Sequence, residues 1–209
     1  MRTKKKPAPP KPASPAETAR RTQIVDCAID TIAEMGFARA SVDQIARRIG
    51  VSKGVITYHF PSKDEIVDAV IAKVVAGARG FIQPRVIAET SAAGRLRAYI
   101  ESSLAFIDSN RKQLIALVEI AMGARRADGS LVIGPDSFAQ RATDLEKLLS
   151  AGQRSGEFRQ FNARVMAQTI VQALEGVPSL LARDPGLDVK LHARELATVF
   201  LIATRRQSS

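Results

Sequence analysis

The chain has 209 residues, with 31 lysines and arginines against 21 aspartates and glutamates, so its formal net charge is +10. This basic excess favours a polyanionic partner, although it does not by itself distinguish DNA from RNA or from an anionic membrane surface. A single cysteine excludes an intrachain disulfide, so the cytoplasm is the expected compartment. Two isolated histidines, His59 and His192, are too few for a zinc site, and no cofactor is expected.

Residues 1–14 are predicted to form a disordered basic tail, because lysines are mixed with prolines and almost nothing apolar is available for burial. The tail lacks the apolar segment of a signal peptide, and no part of the chain is expected to supply the roughly twenty apolar residues of a membrane span. We therefore expect a protein that is neither exported nor bound to a membrane. The lysines either reach DNA phosphates or only increase solubility.

The first helix is predicted to begin at Ser14, because Ser14 and Glu17 can satisfy free amides at a helix start and Pro15 suits the first helical position. Apolar residues recur at helical spacing as far as Met35. Gly36 can then take the left-handed conformation that ends a helix. The chain after the tail is therefore expected to open with one long amphipathic helix.

Residues 41–60 have the pattern of two short helices joined by a tight turn. Ser41 and Gln44 fit a capping box at the start of the first of these helices. Gly50 follows where the chain must turn in the left-handed conformation, and Ser52 is placed to cap the second helix. This arrangement predicts a helix-turn-helix.

The outer face of the second helix, predicted over residues 53–60, is suited to a DNA groove. It combines a cation, hydrogen-bonding groups, an aromatic ring with a polar tip, and a glycine that lets the backbone come close to another surface. These residues are Lys53, Gly54, Thr57, Tyr58 and His59. By residue type alone, the same face also fits a helical hairpin whose outer side is only solvated.

In their order, the residues of this motif resemble the DNA-binding domain of the tetracycline-repressor-like (TetR) family of bacterial regulators. The resemblance covers residues 18–70 and rests on Gly50-Val51-Ser52-Lys53-Gly54, Tyr58-His59-Phe60 and Ser62-Lys63. The family often has a tyrosine where this chain has Thr57, so one DNA contact is expected to be shorter here.

The resemblance implies that the recognition helix lies in the major groove. It assigns the DNA contacts to Ser41, Gln44, Ser52, Lys53, Gly54, Thr57, Tyr58, His59 and Lys63. Within this set we expect Lys53, Thr57 and Tyr58 to lie nearest the bases. The phosphate contacts are expected from Ser52, His59 and Lys63.

Beyond the motif the sequence predicts only helices, because no alternating strand pattern of useful length occurs. They are expected over residues 62–81, 91–108, 111–126, 137–155, 163–182 and 189–205. Together with the family resemblance, which extends more weakly to residues 151–159, this predicts an all-α fold of about nine helices. A three-helix head at 15–80, with its motif at 41–60, is joined by the fourth helix to a helical-bundle body at 81–209.

The resemblance also implies that the body binds a small-molecule effector between the fourth and seventh helices, and that it forms a homodimer. The eighth and ninth helices would pair with their copies around a two-fold axis, through Ile170, Leu174, Val177, Leu181, Val199 and Phe200. The alternative is that this apolar band is only the core of the monomer. Two symmetric heads would suit a pseudo-palindromic operator.

The sixth predicted helix is apolar on every side except for Glu119, so this carboxylate is expected to lie close to the interior. A buried charge needs a partner. Glu119 either pairs with an arginine of a neighbouring helix or reaches the surface, or it lines the effector pocket with Tyr99, Phe106 and Met122. In the second case it would select a cationic or hydrogen-donating ligand.

The sequence therefore predicts a DNA-binding transcriptional regulator, most simply a repressor that a small molecule releases from a double-stranded DNA operator. An activator, or an architectural protein with the same head, is the alternative. An enzyme is disfavoured, because the chain has no glycine-rich phosphate loop and no recognisable nucleophile set. The operator and the effector cannot be predicted from the residues.

Overall fold

The computed structural model describes residues 14–134 and 139–206, and the predicted basic tail lies almost entirely outside this range. Within the described residues the chain forms nine α-helices and no β-strand, so the all-α prediction is confirmed. The helices are α1 (Pro15–Met35), α2 (Val42–Ile49), α3 (Lys53–His59), α4 (Lys63–Ala88), α5 (Ala92–Ser109), α6 (Arg111–Gly123), α7 (Ala139–Arg154), α8 (Ala163–Arg183) and α9 (Val189–Thr204).

Serine side chains fix the starts of several helices. The predicted caps at Ser14, Ser41 and Ser62 all form, and each hydroxyl accepts from the backbone N–H three residues later at 3.2 Å. Such a bond satisfies one of the free amides at a helix start. At the other end of α1, Gly36 has φ 80° and ψ 155°, a combination open mainly to glycine but not the left-handed helical conformation that was predicted.

Two helices end elsewhere than predicted. Helix α4 continues past the expected end at residue 81 to Ala88, with Pro84 inside it. Proline removes one helical hydrogen bond, yet α4 continues because its second half packs along α5, where Phe81 lies 5.9 Å from Phe106 between ring centroids. Helix α6 stops early, at Gly123.

The first of two hydrophobic cores lies in the head and is shared with the body. It is built from α1, α2, α3 and the first half of α4, and it also contains Ala116, Ile120 and Ala124 from α6 and the residue that follows it. Ala116 and Ile120 are completely buried there. Helix α6 is therefore wedged into the head, although its place in the sequence assigns it to the body.

The second core lies among α5, α7, α8 and α9, and it corrects the predicted dimer surface. Five of the six residues assigned to that surface are already buried within this chain: Ile170, Leu174, Val177, Leu181 and Phe200. A side chain that is buried in its own core cannot also be the surface that meets a partner. Of the predicted set only Val199 is exposed.

Helix α8 is, among the described residues, long and apolar enough to cross a membrane by length and composition alone. Such a segment was not predicted from the sequence. Seven of its residues are buried in the chain, among them Ile170, Leu174 and Leu181. Core packing therefore accounts for much of the apolar character of this helix.

Candidate DNA-binding site

The turn between α2 and α3 has the predicted geometry. Gly50 has φ 78° and ψ 34°, which is the left-handed helical conformation. Its N–H donates to the Ala46 carbonyl at 3.0 Å, and the N–H of Val51 donates to the same oxygen at 3.0 Å. These bonds close α2 and set the direction in which α3 leaves.

Helix α3 is anchored from its inner side. Ile56 and Phe60 are buried in the head core. The Arg21 guanidinium of α1 lies 4.0 Å from the centre of the Phe60 ring and donates to the carbonyl of His59. Because α1 holds the C-terminal end of α3 in this way, the opposite face of α3 is presented rigidly to solvent.

That outer face carries the residues expected to contact the bases. Lys53, Gly54, Thr57 and Tyr58 are all exposed, and Tyr58 has 78% of its surface accessible. Lys53 forms an exposed ion pair with Asp43 of α2, with 2.9 Å between Nζ and Oδ2. An exposed pair of this kind contributes little to stability, so the lysine is available to another anion.

Gly54 is not required by the packing of the chain itself. A Cβ atom built on Gly54 would meet only the Ser52 hydroxyl, at an ordinary 3.7 Å. Its φ is also outside the range that favours glycine. A glycine in a helix costs stability relative to alanine, so the absent side chain is best explained by the close approach of an external surface.

The remaining residues expected to contact DNA differ in whether their polar atoms are exposed or already bound within the chain. The predicted Ser52 cap does not form, so this exposed hydroxyl is not bound to the start of α3. Ser41 uses its hydroxyl as the α2 cap, and Gln44 is half-buried beside it. His59 is half-buried with its Nδ1 atom inaccessible and unpaired, so a phosphate contact from this ring would have to use Nε2.

The position of Lys63 corrects the expectation that this side chain contacts phosphate. Its ammonium donates to the Phe37 carbonyl at 2.8 Å and lies 3.9 Å from the centre of the Phe37 ring. Burial lowers the pKa of Lys63 below its usual value. The lysine therefore ties the start of α4 to the end of α1, and it would have to leave this site to reach DNA.

Phe37 is held from a second side by α6. Glu119 accepts a hydrogen bond from the Phe37 backbone N–H at 3.3 Å, and Gly123 lies so close to the Phe37 ring that a Cβ there would be 3.0 Å from it. We call Phe37, Lys63, Glu119 and Gly123 the Phe37 joint. Among the described residues Glu119 has no arginine partner; this half-buried carboxylate binds a backbone amide of the head and reaches the surface only in part.

The four residues assigned to an effector pocket do not converge. Phe106 packs on α4, where it faces Gly77 and Phe81. Tyr99 instead contacts α7, and Met122 is 74% exposed. With Glu119 in the Phe37 joint, these side chains lie on different surfaces of the bundle and cannot line one cavity together.

An ion-pair network adds to the connection between α6 and the head. Glu34 of α1 binds Arg48 of α2 through two hydrogen bonds, of 2.6 and 2.9 Å. Lys112 of α6 lies within 3.4 Å of both Asp30 and Glu34. The hydrogen bond from Arg48, with help from the charges of Arg48 and Lys112, lowers the pKa of Glu34 from 4.5 to about 2.

This network predicts a specific dependence of stability on pH. Because the pKa of Glu34 is lower in the folded chain, its contribution is complete above pH 4.5 and disappears as the pH falls through about 2. Thermal unfolding of the wild type and of Glu34→Gln should therefore differ at pH 6 and converge near pH 2. Glu65→Gln, on the exposed side of α4, is the control and should show no such convergence.

The fold and this site define an all-helical protein in which a helix-turn-helix head presents an exposed recognition helix. Residues 24–70 match the family described as bacterial regulatory proteins, tetR family. The head of the chain therefore matches the DNA-binding domain of this family.

Known proteins share either the head or the whole fold. The HTH-type transcriptional regulator BetI of Cronobacter sakazakii is 34% identical over 86 residues, 40% of this chain and 43% of that protein. The A-factor receptor protein of Streptomyces griseus is 26% identical over 176 residues, 82% of this chain and 59% of the receptor. The matched regions thus cover about half the length of these relatives. The solved structure of AibR in complex with isovaleryl coenzyme A and operator DNA has a TM-score of 0.70 at 17% identity, covering 86% of this chain and 97% of AibR.

Proposed function

We propose that the chain is a cytoplasmic transcriptional regulator that binds double-stranded DNA through the outer face of α3. The observation that carries this proposal is the exposed face itself, in which Gly54 has no packing role within the chain and Tyr58 projects into solvent beside Lys53. A face of this kind fits the major groove, where lysine can reach base and phosphate oxygens and tyrosine can contact the bases or the backbone. The family membership of residues 24–70 supports the same assignment.

We propose that two copies of the chain bind one pseudo-palindromic operator, and that α8 and α9 form the surface between them. The exposed large apolar residues of these two helices support this surface: Val165, Leu180, Leu191, Val199 and Ile202. Both helices pack on α5, and large apolar side chains that remain exposed on a folded chain are typical of a protein interface. A two-fold axis there would present two recognition helices to successive turns of the major groove.

Release of the operator by a small molecule is the third part of the proposal. Helix α6 contacts the body through α8 and enters the head core with Ala116 and Ile120. A ligand that favours a different position of α6 or α4 would therefore shift the head through the Phe37 joint, and the spacing of two heads on DNA would change. The solved AibR complex with isovaleryl coenzyme A and operator DNA supports a ligand-responsive assignment.

The body favours a ligand-responsive regulator over an architectural DNA-binding protein, because it buries a complete second core that DNA bending does not require. Whether DNA binding represses or activates depends on where the operator lies relative to the promoter. Recovery of genomic DNA fragments bound by the protein tests the proposal. One enriched pseudo-palindrome is expected, and its neighbouring genes would show the direction of regulation.

The hydrogen bond between Glu119 and Phe37 predicts a difference in folding stability between two variants of Glu119. Glu119→Leu should leave the Phe37 N–H without an acceptor, which costs about 1–3 kcal/mol of unfolding free energy. Glu119→Gln keeps an acceptor oxygen and should be close to the wild type. Urea unfolding measures this difference, and a Glu119→Leu protein as stable as Glu119→Gln would contradict the role given to this bond.

A further inference from the structure

Three half-buried polar side chains from three different helices of the body meet one another. The Arg141 guanidinium of α7 donates to the Tyr99 hydroxyl of α5 at 3.3 Å. Its other terminal nitrogen lies 3.7 Å from Oε1 of Glu175 on α8. We call Tyr99, Arg141 and Glu175 the Tyr99 cluster, and none of its members serves the head or the Phe37 joint.

The hydrogen-bonding capacity of the Tyr99 cluster is not filled. A separation of 3.7 Å is an ion-pair distance but too long for a hydrogen bond, and Oε1 of Glu175 is inaccessible and has no donor. Ser103, one helical turn beyond Tyr99 on α5, is 2% exposed and its hydroxyl is likewise unpaired. Buried oxygens without partners are unfavourable, and they are uncommon in folded proteins unless a ligand or water supplies the missing bonds.

A groove of about 410 Å³ lies on the same helices as the cluster, between the end of α4, the start of α5 and α7. Its wall is mostly apolar and its charged residues are Arg95 and Lys147; the lining is Val86, Ile87, Ala92, Arg95, Lys147, Leu148 and Ala151. This volume falls in the range of small-molecule sites.

The groove and the Tyr99 cluster follow one another along the α5–α7 pair. Ala92 packs against Gly152, Arg95 and Leu148 share the groove, and Tyr99 contacts Arg141. The two helices are thus antiparallel, and Tyr99 lies one helical turn along α5 from Arg95. The lining of the groove ends at Arg95 and Leu148, so a molecule with its apolar part in the groove reaches the cluster by extending its polar end about one helical turn along α5.

We propose that the groove and the Tyr99 cluster bind a neutral molecule that has an apolar chain and a polar head group with both a hydrogen-bond acceptor and an N–H or O–H donor. The inference rests on the proposed function, since this molecule would be the effector. The acceptor of the head group takes hydrogen bonds from Arg141 and Tyr99, and its donor bonds Oε1 of Glu175. Burial raises the pKa of Glu175, which is consistent with an oxygen that lacks donors.

The charges of the cluster exclude the other simple head groups. A carboxylate would face Glu175, an ammonium would face Arg141, and an ester would leave the Glu175 oxygen without a donor. Each of these mismatches places a charge against a like charge or leaves a buried polar atom unpaired. Only a head group that has both a hydrogen-bond acceptor and a donor can form hydrogen bonds with Tyr99, Arg141 and Glu175 together.

Isothermal titration of the full chain with four six-carbon probes tests this inference. Hexanamide, which has both functions, should bind at least about tenfold more tightly than hexanoate, hexylamine or methyl hexanoate. Glu175→Met removes the acceptor while keeping side-chain length, and Tyr99→Phe removes one donor while keeping the ring. Both should weaken hexanamide binding by about tenfold, whereas Glu146→Met on α7 should not.

Equal affinities for the four probes, wild-type affinity in both Glu175→Met and Tyr99→Phe, or no heat from hexanamide up to its solubility limit would each overturn the inference. Because the titration contains no DNA, its failure is separate from failure of the proposed function. A gel shift without any probe tests the latter. A chain that binds its operator but not hexanamide refutes only the ligand class.

Discussion

Gly54→Leu should bind operator DNA at least about tenfold more weakly than the wild type, a loss of about 1.4 kcal/mol, while its thermal stability stays the same or rises. The Cβ of the new side chain meets only the Ser52 hydroxyl, at an ordinary contact distance of 3.7 Å, so nothing in the chain has to move. Leucine is also a better helix former than glycine, by up to about 1 kcal/mol. The loss of affinity would come only from the leucine side chain, which would hold α3 away from the major groove of the DNA.

Gly80→Leu is a matched control for this result. Gly80 lies inside α4, and a Cβ there meets no atom within 4 Å, so this substitution also requires no movement of the chain. It lies far along α4 from the recognition helix, so the same substitution should leave operator affinity unchanged. Gel shifts and thermal unfolding on both proteins make the comparison. If Gly54→Leu and Gly80→Leu bind the operator with equal affinity, the outer face of α3 does not approach the major groove of the DNA.

Ile202→Asp should convert a dimer into folded monomers. Ile202 is 68% exposed on α9, so a charge there is solvated in the monomer but buried and unpaired across the proposed surface. Burying an unpaired charge costs several kcal/mol, which exceeds what a modest interface can absorb. Light scattering should report half the mass, and operator affinity should fall with it.

Leu174→Asp separates this effect from damage to the core. Leu174 is 1% exposed within one chain, so a charge there should unfold the body rather than release a folded monomer. Met122→Asp, equally exposed but on α6, should remain dimeric. A dimer that persists in Ile202→Asp would place the interface on another surface.

The head could be predicted from sequence because its signals are local. A serine cap and the amide that it binds are three residues apart, and the left-handed turn needs only a glycine at position 50. Tertiary packing decides little at these points. The starts of α1, α2 and α4 therefore lie where the residues predict them.

The dimer surface could not be predicted in the same way, because α8 is apolar on more than one side. Leu174 and Val165 have similar character, yet Leu174 is core and Val165 is exposed. Only the packing of α5, α6 and α7 on α8 decides which side of α8 remains free. Helical periodicity identifies an apolar band, but it does not divide a wide band between core and interface.

The partners of Glu119 and Lys63 could not be predicted because they are the backbone amide and carbonyl of Phe37. Any residue supplies those groups, so no sequence pattern marks them. Glu175, by contrast, is a single carboxylate within the apolar stretch of α8, the same signal that drew attention to Glu119. A single carboxylate in an otherwise apolar helix thus indicates a side chain near the interior, but this pattern does not show whether the side chain binds the protein backbone or a ligand.

Equilibrium binding to the operator recovered from genomic fragments tests the central claim most directly, with the intact site compared with a copy in which one half-site is scrambled. We predict two protomers per intact operator, half-sites about 10 base pairs or a multiple apart, and much weaker binding to the scrambled copy. Tyr58→Ala should lose about 1–3 kcal/mol on the intact site. Equal binding of the wild type to both DNAs, or a Tyr58→Ala protein that binds like the wild type, would contradict recognition of DNA by α3 in a dimer.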